Sequence, residues 1–394
     1  MRFCGSASVA LCALLLLARP SAQRLDPGQP TAIAPGVDLY HQTDPSLIDP
    51  AGPVSAWLLR LDPALVQLKS ILANDEILGL ETVSDMGERH RAVAAINAGF
   101  FLPNGDPSGL LKINGQLVSD THRPRGAVGI VPQHDRSTLV YGQLKASVSA
   151  SYVRGGRTYL IEIDGVDTVR RLGKVMLYTP EWHRDTTTPA GGVEWVLAGA
   201  PLTVTGPARR GGATVIPRGG YVLSFGGRTP PRALAGLRPG VRVTLKTIYR
   251  SINGAQTSWN AARDIIGGAG LLVQDGRSID DWSVEQFGPG FADARHPRTM
   301  IGTDASAAIW LIVVDGRQPS LSLGMTLPEL RGLAERLQLT NALNLDGGGS
   351  TTMWIAGRVV NSPSDAAGPR KVSDALLVHL RSAGQPQAPS AAPR

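Results

Sequence analysis

The 394-residue sequence is poor in cysteine, in aromatic residues and in long apolar runs, and each shortage excludes a class of protein. Both cysteines, Cys4 and Cys12, lie near the N-terminus. The rest of the chain therefore offers neither a disulfide, nor a thiolate nucleophile, nor a cysteine-bound metal. The formal charge is +7, but no basic stretch carries interleaved aromatic residues. Nucleic acid is not expected as a partner.

The longest apolar run lies close to the N-terminus and is typical of a secretory signal. Arg2 precedes the run at residues 9–18, small residues follow it, and the run is too short to cross a membrane. We expect a signal peptide at 1–22, a leader at 23–36, and a periplasmic or secreted protein without a stable membrane span after signal removal. A retained membrane anchor is the alternative. The Ala-, Pro- and Gln-rich residues 382–394 are expected to form a disordered tail.

Most of the remaining chain predicts strands. Apolar runs of four to eight residues alternate with turn residues, as at 54–61, 66–72 and 92–96. The Asn114-Gly115 pair within residues 109–118 is the strongest short signal for a hairpin. We predict an α+β fold, a strand-rich mixed-sheet domain that covers residues 37–381.

Residues 308–346 predict a strand, a helix and a second strand. The apolar runs 308–314 and 342–345 flank a segment in which apolar residues recur every three or four positions. Thr326 and Glu329 have capping-box spacing at its start. This unit is expected to carry the active-site loops.

The two strands of this unit end at acidic residues, Asp315 and Asp346. If the strands pair in parallel, a right-handed crossover would bring both carboxylates to one edge of the sheet. The loop 317–325 would then lie over them.

The stretch 342–352, ALNLDGGGSTT, has more glycine than a chain reversal requires. Three consecutive glycines can direct several backbone amides at one anionic group, and hydroxyl side chains follow them. We interpret this stretch as a ligand-binding loop rather than as a plain turn.

These residues, taken in order, resemble the phosphodiester glycosidase family, and the resemblance covers roughly residues 37–379. No single motif carries it, but their order and spacing do. The motifs are Ile96-Asn97-Ala98-Gly99-Phe100-Phe101, Gly109-Leu110, Asp264-Ile265-Ile266-Gly267-Gly268, His296-Pro297-Arg298-Thr299, Asp315-Gly316-Arg317, Ser322 with Gly324-Met325-Thr326, and Asn344-Leu345-Asp346-Gly347-Gly348-Gly349-Ser350, followed by Asn361, Pro363 and Arg370. The chain departs from the family pattern at Ala269-Gly270, where Gly-Pro is expected.

The resemblance implies an enzyme that hydrolyses the C1–O bond of a sugar-1-phosphodiester and therefore binds a glycan or sugar-phosphate substrate. Glycoside hydrolysis generally uses two carboxylates. We therefore predict Asp346 and Asp315 as the catalytic pair, with the alternative that either one only ties its loop to backbone amides. The predicted substrate-binding residues are Asn97, Arg298, Arg317, Ser322, Asn344, Gly347, Gly348, Gly349, Ser350 and Thr351.

Two other functions fit the same residues. One is hydrolysis of neutral glycosidic bonds in exopolysaccharide or cell-wall glycan, and the other is glycan binding without catalysis. No cofactor is assigned, although a divalent cation would suit aspartate and backbone oxygens. His183 lies near Glu181 and Asp185, a pattern more typical of a solvated histidine than of a metal ligand.

Overall fold

The computed structural model describes residues 24–120, 123–252 and 257–381, without the side chains of 257 and 258. The predicted signal peptide and tail lie outside these ranges. Part of the predicted leader is described, and its strand Thr31–Ala34 pairs with Val37–Gln42.

The largest sheet of the described chain, here called the main sheet, has eight strands. In spatial order they are Thr31–Ala34, Val37–Gln42, Ala56–Leu61, Ile309–Val314, Arg298–Asp304, Leu339–Asn344, Leu271–Gln274 and Arg277–Ser278.

A five-stranded sheet, here called the back sheet, packs against one face of the main sheet. Its strands are Arg358–Val359, Met353–Ile355, Ala94–Asn97, Asp374–Leu380 and Val66–Leu72. Leu59, Leu311 and Leu343 of the main sheet share one buried cluster with Ile96 and Leu376 of the back sheet. Because side chains alternate along a strand, the residues between them point to the opposite faces.

Two helices cover these opposite faces. Helix Leu327–Arg336 buries Leu327, Leu330 and Leu333 against the main sheet. Helix Val83–Arg89 buries Val83 and Met86 against the back sheet. The order of layers is therefore helix, sheet, sheet, helix, with the largest apolar core between the two sheets.

The unit at 308–346 contains its predicted strand, helix and strand, but the two strands are not neighbours. Strand Arg298–Asp304 lies between Ile309–Val314 and Leu339–Asn344 and is antiparallel to both. The two strands therefore run parallel without pairing, and they end at the same edge of the sheet. The second strand begins at Leu339, earlier than residue 342, because Gln338 turns the chain directly after the helix with φ 57°.

A second region of sheet extends from the long strand Ser137–Arg154, which pairs with strands on both of its sides. This seven-stranded sheet consists of Arg157–Ile163, Ser137–Arg154, Arg125–Pro132, Asp264–Gly267, Leu111–Ile113, Gln116–Ser119 and Thr244–Ser251. A six-stranded sheet beside it consists of Gly165–Val166, Val175–Tyr178, Tyr221–Phe225, Gly192–Ala198, Thr203–Val204 and Arg209–Gly211.

The remaining described elements are short. They are the paired strands Glu81–Thr82 and Lys371–Val372, the α-helices Arg232–Ala235 and Thr257–Ala261, and the 3-10 turns Pro45–Leu47, Ala73–Asp75, Ser283–Glu285 and Gly348–Ser350. Within the described ranges, no helix has the length and apolar character needed to cross a membrane.

Candidate active site

The candidate site lies where one edge of the main sheet meets one edge of the back sheet. Strand Leu339–Asn344 leads into Asp346, whose N–H donates to the carbonyl of Ala98 at 3.0 Å. Ala98 follows the back-sheet strand Ala94–Asn97. The Asn97 side chain reinforces this junction, because its Nδ2 donates to the Asp346 carbonyl at 2.7 Å. The glycine stretch is thus held by both sheets.

Asp346 lies at the centre of this junction. Its Oδ1 accepts from the N–H of Gly347 at 2.9 Å. The residue keeps part of its surface exposed, yet its carboxyl group is enclosed closely enough that burial raises its pKa to about 7. The nearby Ser350 hydroxyl and the Arg370 charge lower this pKa, whereas the negative charge of Asp374 raises it. A carboxyl with a pKa near neutrality can change its protonation state during a reaction.

Asp374 is a second acid at this junction, and sequence reasoning missed it. It begins the back-sheet strand Asp374–Leu380 and is 1% exposed. Its carboxylate accepts from the N–H of Gly99 at 3.1 Å and from the Ser373 hydroxyl at 3.0 Å. Burial raises its pKa to about 6. The available signal was an acidic residue directly before the apolar run 375–378, the reverse of Asp346, which directly follows an apolar run.

Two exposed arginines flank the glycines that follow Asp346. A methyl group on Gly348 would lie 3.0 Å from Nη2 of Arg317, and one on Gly349 would collide with the Arg370 guanidinium. Arg317 also contacts Nδ1 of His296 at 3.2 Å, and Arg370 forms an ion pair with Asp365 at 2.8 Å. The absence of side chains on these glycines lets both cations approach the turn.

The glycine turn has its own backbone requirement. Gly348 has φ 62°, and its N–H donates to the carbonyl of Pro297 at 2.8 Å. A Cβ on Gly347 would lie 2.5 Å from the same carbonyl oxygen. Glycine is therefore needed at 347 for space and is favoured at 348 for conformation.

Asp315 lies at the same edge of the main sheet, but its carboxylate is fully used by neighbouring groups. It is 1% exposed and accepts from Ser55 Oγ at 2.9 Å, Asn361 Nδ2 at 3.0 Å and the N–H of Ser362 at 2.8 Å. Burial raises its pKa although these hydrogen bonds lower it. This geometry favours the alternative that Asp315 ties its loop together.

Arg298 and Ser322 also form hydrogen bonds within the protein. Arg298 is 2% exposed, and its guanidinium donates to the carbonyls of Met325, Phe291 and Ala294 at 2.8 to 3.0 Å. Burial lowers its pKa to about 10. The hydroxyl of Ser322 donates to the Asp315 carbonyl at 2.6 Å. Both side chains hold the loops that surround the site.

The other predicted binding residues lie in or beside the glycine turn. Thr351 is 1% exposed, and its carbonyl accepts from Asn361. Asn344 uses its Nδ2 to bind the Ala269 carbonyl at 2.7 Å. Within the described chain, Asn344 Oδ1 and Ser350 Oγ are buried without a hydrogen-bond partner. Ser350 lies close enough to Asp346 to lower its pKa, but without hydrogen-bond geometry.

No group of three or more His, Cys, Asp or Glu side chains in the described residues is arranged to hold a metal ion, and His183 with Glu181 and Asp185 is no exception. The divalent cation allowed by the sequence stays a prediction, and chelation of the active protein would test it.

Comparison with known proteins relates part of the chain to one enzyme family. Residues 192–379 match the model of the phosphodiester glycosidase family, and this region contains both Asp346 and Asp374. The region is thus similar to the domain of phosphodiester glycosidases. Over this region the comparisons support the phosphodiester glycosidase family, which the motifs in the sequence indicated.

The related proteins match parts of the chain. N-acetylglucosamine-1-phosphodiester alpha-N-acetylglucosaminidase of Bos taurus is 28% identical over 206 residues, which are 45% of this chain and 39% of the bovine protein. The Homo sapiens enzyme of the same name is 34% identical over 151 residues, 34% of this chain and 29% of the human protein. The chain thus matches well under half the length of either relative.

A solved structure supports the fold over more of the chain. A hypothetical protein from Synechocystis superposes with a TM-score of 0.73 and 24% sequence identity, over 88% of this chain and 63% of that one. At this identity the similarity concerns the fold alone.

Proposed function

We propose that the protein is an exported glycoside hydrolase that cleaves the sugar C1–O bond of a sugar-1-phosphodiester. One observation carries the proposal: a carboxyl group with a pKa near 7, on Asp346, precedes a glycine turn that two exposed arginines flank. The acid suits the sugar carbon, and the guanidinium groups suit a phosphate. Export rests on the signal-like residues 1–22.

In this reaction a water oxygen becomes bonded to C1, and the C1–O bond to the phosphate breaks. The phosphate monoester leaves with the electron pair of that bond, and the proton of the water passes to a carboxylate or to solvent. Asp346 acts in its ionised form, whether it attacks C1 itself or activates the water. Because a phosphate monoester is a good leaving group, neutralising its charge matters more than protonating it.

Arg317 and Arg370 are proposed to bind the phosphate. Guanidinium presents a planar set of donors that matches two phosphate oxygens, whereas an ammonium group presents a point charge. The N–H groups of Gly347 and Gly348 donate to Asp346 and to the Pro297 carbonyl, so the phosphate contacts are assigned to the two guanidinium groups. The buried Ser350 hydroxyl, unpaired within the described chain, is available for a substrate oxygen.

Asp315 and Arg298 are proposed to position this machinery without touching the substrate. Asp315 holds Asn361, and Asn361 in turn holds the carbonyl of Thr351 and the N–H of Met353. Arg298 holds three carbonyls of the surrounding loops. Loss of either would change the shape of the site and the stability of the fold together.

The test compares two substrate sets on one set of variants: a panel of sugar-1-phosphodiesters and the matching neutral aryl glycosides. Arg317→Lys and Arg370→Lys should each lower kcat/KM for the phosphodiester by about ten- to hundredfold, the usual cost of one charge-assisted contact. They should change turnover of the neutral glycoside much less. Asp346→Asn should abolish both activities.

Two further variants complete the design. Arg331→Lys is the matched control. Arg331 lies on helix Leu327–Arg336 and forms ion pairs with Asp280 and Glu335, so both activities should persist in this variant. Arg298→Lys should lower the melting temperature and reduce both activities alike. Equal losses on charged and neutral substrates in Arg317→Lys and Arg370→Lys would reject the phosphate contact. Preference for the neutral glycosides would favour glycan hydrolysis, and binding without turnover would favour a glycan-binding protein.

A further inference from the structure

A polar cavity of about 470 Å³ lies next to the loop that leaves the candidate site, and no step proposed above uses it. This volume is within the range of small-molecule pockets. The side chains that matter for its chemistry are Asp106, Ser108, Asp120, Arg123, Arg125 and Thr168.

One chain segment connects this cavity to the candidate site. Gly99 donates its N–H to Asp374 in the site. The next residue, Phe100, accepts at its carbonyl from the N–H of Ser108 at 2.7 Å, and Ser108 lines the cavity. The loop from Gly99 to Ser108 thus borders the candidate site at one end and the cavity at the other.

Three half-buried aromatic rings lie in a row between the loop at Phe100 and the cavity residue Arg125. The ring centroids of Phe100 and Phe291 are 6.0 Å apart, and those of Phe291 and Phe287 are 4.7 Å apart. The Arg125 guanidinium lies 5.7 Å from the centroid of Phe287 and also lines the cavity. These rings, here called the aromatic ridge, offer apolar faces on which the C–H face of a sugar ring can pack.

The polar groups of the cavity balance each other in charge. Asp106 is 3% exposed and accepts from the Thr168 hydroxyl at 3.0 Å, while Arg123 donates to the side chain of Gln286 at 3.2 Å. A free phosphate would meet the two carboxylates, and a cation would meet the two guanidinium groups. A neutral polyol has donors and acceptors on adjacent carbons, so it can use both kinds of group.

We propose that this cavity and the aromatic ridge form a second glycan subsite, which binds a neutral sugar unit adjacent to the one that is cleaved. The proposal rests on the proposed function and extends it, because it makes the substrate an oligosaccharide or glycan rather than a single sugar phosphate.

The experiment measures kcat/KM for substrates of two lengths. The short one is the best monosaccharide-1-phosphodiester of the panel, and the long ones carry one more sugar on either the sugar or the phosphate side. The wild-type protein should prefer one of the long substrates. Phe287→Ala and Thr168→Val should each lower kcat/KM for that substrate by about tenfold and for the short one by less than about twofold. The control Leu160→Ala, an exposed apolar residue of strand Arg157–Ile163, should change neither.

The subsite is rejected if no long substrate is preferred, or if both variants affect the two lengths equally. Failure of the proposed function looks different, because then no phosphodiester of either length is hydrolysed. In that case, saturation-transfer NMR with maltotriose, cellotriose and chitotriose tests the subsite alone. Binding that Phe287→Ala and Thr168→Val lose and Leu160→Ala keeps would support it. Lack of binding to all three sugars would overturn it.

Discussion

Asp346 retains its proton at a pH where an exposed aspartate has lost it. An unfolded aspartate ionises near pH 3.9, whereas burial raises the pKa of Asp346 to about 7 in the folded protein. Between these values the folded state binds more protons than the unfolded state. The free energy of unfolding therefore falls as the pH rises from about 4 to 7.

Asp346→Asn should remove this decrease in the free energy of unfolding between about pH 4 and 7. We expect the variant and the wild-type protein to melt together near pH 4, and the variant to melt at the higher temperature at pH 8. Differential scanning calorimetry across this range measures it. Asp304→Asn is a control of opposite sign, because hydrogen bonds from Ser306 and Trp310 outweigh burial and lower the pKa of Asp304. That control should be less stable than the wild-type protein at pH 8, with the gap closing below pH 4.

Asp374→Asn should change the pH dependence of catalysis. The negative charge of Asp374 raises the pKa of Asp346, so its removal should lower that pKa while the amide oxygen can still accept from Gly99. Activity that needs ionised Asp346 falls as the pH drops through its pKa. The acid limb of kcat/KM should therefore move to lower pH, whereas Asp304→Asn should leave it in place. If the acid limb of kcat/KM stays at the same pH in Asp374→Asn, then a group other than Asp346 controls it.

Single residues were predictable from the sequence where the local pattern is sufficient. Asp346 and its glycines stand out because three glycines exceed the needs of a turn. The sequence could not decide between catalysis and loop support for Asp315, because its partners Ser55 and Asn361 are distant in sequence. It also could not reveal the role of Arg298, whose partners are backbone carbonyls. Asp374 was missed although it stands directly before an apolar run, because its partner Gly99 is distant in sequence.

Replacing glycine by alanine should have opposite effects on the free energy of unfolding at two places in the fold. Gly332 lies in helix Leu327–Arg336, and an added methyl group would meet nothing within 4 Å. Gly332→Ala should raise the free energy of unfolding by about 0.5 to 1 kcal/mol, because alanine loses less backbone entropy in a helix. Gly347→Ala should lower it by about 1 to 3 kcal/mol, because its Cβ would lie 2.5 Å from the Pro297 carbonyl oxygen. Urea unfolding of both variants measures the difference, and destabilisation by Gly332→Ala would contradict this account.

Elements were predictable where short-range rules decide them. The capping box at Thr326 and Glu329 is present at helix Leu327–Arg336, and the hairpin turns at Asn114 and Gly115, both with positive φ. The partners of strands were not predictable, because pairing depends on contacts far apart in sequence. Strands Asp264–Gly267 and Leu271–Gln274 are separated by a short turn, yet they belong to different sheets.

At the scale of the whole molecule, the candidate site depends on the contact between two sheets. Strand Ala94–Asn97 pairs with Asp374–Leu380, a strand nearly three hundred residues later, and this pairing places Asp374 beside the loop that follows Asn97. The main sheet supplies Asp346 from its own edge. A strand-rich α+β fold follows from the sequence pattern, but the meeting of these two edges does not.

Asn97 is the side chain that joins the two edges, so its loss should affect stability and activity together. Its Nδ2 donates to the Asp346 carbonyl, and its Oδ1 accepts from Thr299 Oγ1 at 2.8 Å and from the N–H of Thr352 at 3.1 Å. Asn97→Ala would leave these buried groups unpaired, at a cost on the order of 3 kcal/mol. Because the Asp346 backbone loses its anchor, kcat/KM should fall by at least about tenfold.

The control for this last prediction is an asparagine of the main sheet. Asn341 is half-buried in strand Leu339–Asn344, away from the strand's end, and its Oδ1 accepts from the N–H of Asp275 at 3.0 Å. Water can replace that bond, so Asn341→Ala should cost about 1 kcal/mol or less and keep full activity per folded molecule. Melting temperature and kcat/KM are measured on both variants. If Asn97→Ala lowers the melting temperature but retains wild-type kcat/KM, then the junction between the sheets stabilises the fold without positioning Asp346.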